Sequence, residues 1–101
     1  MTARNYTIQN SSLARKHFKE IFNYSCDNWG EKTAENYMRS LVSGIAAVAT
    51  GHEPPRINPE ISDKYPYILV KNHNIFLEFS GDVLIVVAVL HTAMNANERL
   101  P

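Results

Sequence analysis

Residues 65–91 read YPYILVKNHNIFLEFSGDVLIVVAVLH, from Tyr65 to His91, and this stretch decides the fold. Three runs within it, Tyr65–Val70, Ile75–Phe79 and Val83–Leu90, are rich in β-branched and aromatic residues, the composition of strands. Asn72-His73-Asn74 and Ser80-Gly81-Asp82 stand between them and supply turn chemistry. Links so short allow only an antiparallel meander. Val83–Leu90 is apolar on both of its faces, which predicts a central place in the sheet. It is also the longest apolar run, and it falls far short of the ~20 residues that span a bilayer.

Working outward, residues Gly51–Asp63 carry Pro54, Pro55 and Pro59 and read as an irregular connection. Before it the apolar period changes from two to that of a helix. Ala34, Tyr37, Met38, Leu41, Val42, Ile45, Ala46 and Ala49 make one stripe and predict a helix over Glu31–Ala49, with Glu31 and Glu35 near its positive end. Leu13, Ala14, His17, Phe18, Ile21, Phe22 and Ser25 make another and predict a helix over Ser12–Asn28. Asn10-Ser11-Ser12 supplies its N-cap, and Gly30 suits the turn after it. Two helices joined so tightly fold back as a hairpin. Tyr6 and Ile8 alternate with polar neighbours and predict a short first strand over Arg4–Ile8. The residues after Thr92 form a tail with room for one helical turn. The expected class is α+β: an N-terminal strand, a helical hairpin, then a three-stranded antiparallel meander.

A chain of 101 residues fits a single domain, here 1–101. Ten basic and ten acidic residues balance to zero net charge, which argues against strong direct nucleic-acid binding, because phosphate neutralisation supplies most of that affinity. Cys26 stands alone, so no intrachain disulfide can form, and it reads as a small buried hydrophobe. The start, Met1-Thr2-Ala3-Arg4-Asn5-Tyr6, lacks a secretory apolar core. These features point to a cytoplasmic protein without a membrane segment.

The chemistry-bearing residues are sparse. His17, His52, His73 and His91 have no metal-ligand spacing and no cysteine or paired acid beside them, so neither metal nor cofactor is expected. His17 lies on an apolar stripe and reads as a boundary residue, and His52 as a solvated one. His91 ends a buried strand, where it either ties the strand to the tail or serves as a general acid/base. Lys64, Tyr65, Tyr67 and Lys71 read as a lysine-protected edge strand, with a basic-aromatic surface as the alternative. Tyr6, Phe76 and Phe79 read as core or sheet-face aromatics, and Trp29 as an anchor of the hairpin on the sheet.

Several of these segments resemble a known family. Ala14, Glu20-Ile21 and Tyr24 in the first helix, Trp29-Gly30 with Ala34 and Tyr37, His73-Asn74-Ile75-Phe76, and Val86–His91 followed by Met94-Asn95 are similar to the RelE/ParE toxins, nearest the ParE branch. The resemblance covers about residues 6–95. It implies the toxin of a type II toxin–antitoxin system that arrests growth, neutralised by a ParD-like antitoxin and directed at DNA gyrase. Its target-binding residues would be His91, Met94, Asn95 and Arg99, within a terminal segment Leu90–Leu100 free to remodel onto a partner. Two departures weigh against the family's other activity, ribosome-dependent cleavage of messenger RNA. Ala88 and Pro66 stand where RNA-cleaving relatives often carry arginine. A nuclease would have to use His91, Lys64, Lys71 and Tyr65 instead. A toxin fold that has lost toxicity is the third alternative. The antitoxin would dock on the hairpin or on the edge strand Tyr65–Val70.

Overall fold

The computed structural model describes residues 5–101. Arg4, expected in the first strand, and the start of the chain read above lie outside the described residues. The elements run β1 (Thr7–Asn10), α1 (Ser12–Trp29), α2 (Glu31–Ala49), β2 (Tyr67–Val70), β3 (His73–Ser80), β4 (Val83–His91) and a single turn of helix, α3 (Ala96–Arg99). The sheet order is β1-β4-β3-β2. The class is α+β, and β4 is central, as its two-sided apolarity requires. β1 pairs parallel with β4, Thr7 opposite Val83 and Asn10 opposite Val86, while β2–β3 and β3–β4 are antiparallel.

Local chemistry sets the boundaries. Ser11 caps α1: its hydroxyl oxygen accepts from the Ala14 N–H at 2.9 Å and its own proton goes to the Val87 carbonyl at 2.7 Å. One side chain thus starts the helix and closes the edge of β4 beyond the end of β1. Gly30, at φ 89°, links the two helices in a region that favours glycine. Gly44 lets α2 approach the sheet: a Cβ there would lie 2.5 Å from a methyl of Val70.

Two cores occupy the two faces of the sheet. The helical hairpin covers one with Ala14, Leu41, Ile45 and Val48 against Ile68, Ile75, Leu77, Leu84 and Val86. The other gathers Tyr65, Tyr67, Phe76, Ala88 and Leu90 under Ala96, Ile61 and Leu100. Phe76 and Ala88 are fully buried there.

The structure moves several expected features. The turn before β3 is Lys71-Asn72, with Lys71 at φ 55°, so His73 is a strand residue and not a turn residue. β2 starts at Tyr67, and Arg56 bridges Tyr67 from outside through bonds of 2.7 and 3.0 Å, so the edge is covered at its start. Tyr65 and Tyr67 are buried in the second core and form no basic-aromatic surface. Trp29 does not anchor the hairpin on the sheet; it is 61% exposed and meets only the edge of Tyr24 among aromatic rings. Cys26 is half-buried rather than buried, and that partial burial, with Glu31, Asp27 and Glu35 around it, keeps its thiol pKa above the ordinary value. The tail is not free either. Asn97 Oδ1 accepts from the Asp63 N–H, and Lys64 Nζ and the Tyr65 hydroxyl both donate to the Pro101 main-chain oxygen at 3.2 Å. Among the described residues no helix is long and apolar enough to cross a membrane.

Candidate functional site

The β3–β4 ladder is interrupted once. Phe76 faces Ala88 and Leu77 faces Val86, so Val87 is an extra residue, a bulge. Up to Leu77 the register follows from the Ser80–Val83 turn. Continued without the bulge, it would bring Leu90 opposite His73. The bulge moves the register by one residue and sets His73 opposite His91. Their rings meet edge to face, with centroids 5.4 Å apart.

Tyr37 of α2 completes the cluster. Its oxygen accepts from the Asn72 N–H at 3.3 Å, and its hydroxyl shares a hydrogen bond of 2.6 Å with His73 Nδ1. Burial first, and His91 beside it second, lower the His73 pKa to about 4. His17 of α1 accepts the Val89 N–H at Nδ1, 3.0 Å, and His91 accepts the Ala93 N–H at Nδ1, 3.0 Å. His17 is therefore the satisfied boundary residue that its stripe implied. Its pKa is lowered chiefly by burial, with Lys16 and Arg99 adding to this and Glu20 opposing it. His91 ties the strand end to the tail, as one of its two readings required.

These side chains line a groove of about 380 Å³ between α1 and the open end of the β3–β4 hairpin, walled by Tyr24, Trp29, Tyr37, His73, His91 and Met94. It continues past His17 to Arg99 in a smaller hollow of about 200 Å³. Of the residues expected to bind a target, His91, Met94 and Arg99 come together here, while Asn95 stands just before α3 at its N-cap. Lys64, Tyr65 and Lys71 line neither hollow: the first two hold Pro101 and the third sits in the β2–β3 turn. His17, His73, Tyr37 and Trp29 were not singled out as site residues by the sequence. No group of three potential metal ligands occurs among the described residues.

The buried imidazole has a pH consequence. The unfolded chain binds a proton at His73 near pH 6.5, but the folded chain does so only near pH 4. Between these values the unfolded state holds more protons, so stability is full above about pH 6.5 and falls as the pH drops toward 4. With the ring partly open to solvent, the loss should be roughly 1–2 kcal/mol. His91→Ala removes the second of these causes, so the His73 midpoint should rise in an NMR titration. An unmoved midpoint would show that His91 has no part in the depression.

Comparison with known proteins follows the same geometry. The family model described as "ParE toxin of type II toxin-antitoxin system, parDE" matches residues 8–96. "Toxin ParE1" of Mycobacterium tuberculosis (strain CDC 1551 / Oshkosh) is 33% identical over 91 residues, covering 89% of this chain and 93% of that protein. "Toxin ParE" of Escherichia coli is 30% identical over 88 residues, covering 86% and 85%. A solved structure, "Chromosomal ParDE TA system from P. aeruginosa", superposes with a TM-score of 0.72 over 85% of this chain and 95% of the other. At 8% identity that likeness speaks for the fold alone.

Proposed function

Since the chain belongs to the ParE toxin family of type II toxin–antitoxin systems, we propose that it acts in the cytoplasm by binding and disabling DNA gyrase, through the exposed end of β4 and the groove beside it. Its partner within such a system is an antitoxin. The observation that carries the choice of a protein target over RNA is the environment of Ala88. Cleaving relatives place a cationic donor there, whereas this side chain is fully buried against the second core. Zero net charge points the same way, because the chain has no cationic excess with which to hold nucleic acid by itself. His91 at the strand end, Met94 after it and Arg99 on α3 then form the contact surface, with Asn95 beside them.

Gyrase supercoiling assays with purified full-length protein test this. Supercoiling should stop, or cleaved DNA should accumulate, and the antitoxin should reverse the effect. Cells induced without antitoxin should filament before translation slows. Normal supercoiling in excess folded protein would remove gyrase as the target, and immediate arrest of protein synthesis would point to the ribosome.

A further inference from the structure

We propose that the groove is a socket for an arginine side chain presented by a protein partner. The inference rests on reading the groove as a protein-binding surface, not on which protein binds. Its mouth is formed by two large rings left open, Trp29 and Tyr24, 61% and 62% exposed and edge to face at 5.8 Å. Exposed aromatic rings beside a concave surface mark recognition sites, because they bring large contact area at low entropic cost. The opposite wall is the column of Tyr37, His73 and His91, each ring meeting the next edge to face.

Charge selects the occupant. Glu20 is the only acid lining the groove, and its carboxylate also acts on His17 beside it. Asp27, Glu31 and Glu35 surround Cys26, next to the groove residue Ser25, and extend the negative field beyond the Trp29 end. His73 is held neutral near pH 7 and does not offset them. The one cation lining the continuation, Arg99, shares that smaller hollow with Glu20 and His17 and does not line the aromatic mouth. A guanidinium meets all of these conditions at once. It is flat, stacks on indole and phenol faces, and pairs two N–H groups with one carboxylate. Lysine carries the charge without the plane. A phosphate group would face Glu20 and the acids behind it.

The test is an NMR titration of the labelled full-length chain with glycine-serine hexapeptides that differ at one position: arginine, lysine, its uncharged isostere citrulline, or phosphoserine. The arginine peptide should shift the Trp29 indole and His73 ring signals saturably. Citrulline should bind about tenfold more weakly. Glu20→Gln and Trp29→Ala, both at exposed helix positions, should each weaken arginine binding about fivefold while the remaining spectrum stays folded. Equal binding of citrulline and arginine, preference for phosphoserine or a single-stranded oligonucleotide, or no saturable shift at Trp29 would overturn the proposal. A chain that binds the arginine peptide yet leaves supercoiling untouched would keep this inference and remove gyrase alone.

Discussion

Added to translating ribosomes, the purified chain is expected to leave messenger RNA uncut, with any cleavage at least about three orders of magnitude slower than in an arginine-bearing RNA-cleaving relative. Phosphodiester cleavage concentrates negative charge in its transition state, and a lost donor of the oxyanion-hole kind raises the barrier by about 2.7–4 kcal/mol. Two such donors are missing, at Ala88 and Pro66, which sets the size of the effect. None of the lysines or tyrosines that a nuclease would use in their place stands near His91. Lys64 and Tyr65 are bonded to Pro101, and neither they nor Lys71 lines the groove that holds His91. Nor would Ala88→Arg restore the activity, because that side chain is enclosed with Phe76 and Leu90, and an unpaired cation there would destabilise the fold. Primer-extension mapping on programmed ribosomes gives the answer. Codon-positioned cuts that disappear in His91→Ala would reverse the ranking of RNA and protein targets.

Removing Ala96–Pro101 should lower the free energy of unfolding by on the order of 3 kcal/mol, visible as a urea midpoint lower by about 1–2 M. The deleted segment includes buried Ala96, half-buried Leu100 over the second core, the Asn97 acceptor for the Asp63 N–H, and the oxygen shared by Lys64 and Tyr65. For a domain of this length such a loss is a large share of the roughly 5–15 kcal/mol that holds it together. Loss of gyrase inhibition in the deleted chain would therefore report instability as well as a missing contact. Met94→Ala and Arg99→Ala separate the two. Both side chains are exposed, so each change should alter stability by less than about 0.5 kcal/mol, while each weakens the target contact. An unmoved urea midpoint after the deletion would mean that the docked tail contributes nothing to the fold.

The parts of this architecture that sequence makes legible are those whose signal is local. Apolar stripes on α1 and α2, the Ser11 cap and the continuous apolar run of β4 each report their own conformation, and their placement follows. The parallel pairing of β1 with β4 is not written in Tyr6–Ile8, because a strand that short fixes neither its partner nor its direction. The groove was illegible for a sharper reason. His73 and His91 meet only because Val87 is extra in the ladder, and nothing in Val86-Val87-Ala88 distinguishes a bulged valine from a paired one. A hairpin register counted back from Gly81-Asp82 would have brought the two histidines within one position of each other. That count, taken with Tyr37, was the available signal. Trp29 was misplaced because its size suggested burial, whereas its position at the last turn of α1 leaves it beyond the sheet's cover. The tail looked free because a single helical turn has no periodic signal, and its docking depends on Tyr65 and Lys64, more than thirty residues earlier.

The pairing of the first strand with the last sets an order on synthesis. Thr7–Asn10 is made well before its ladder partner Val83–Val86. The helical hairpin can form from neighbouring residues as soon as they are free, because its contacts are short-range. The sheet cannot close until β4 has left the ribosome, and the His73–His91 pair forms later still. A nascent chain therefore presents its helices long before it has a groove. Any partner that recognises the helices alone can engage it before the groove exists, whereas one that needs the groove must wait for β4.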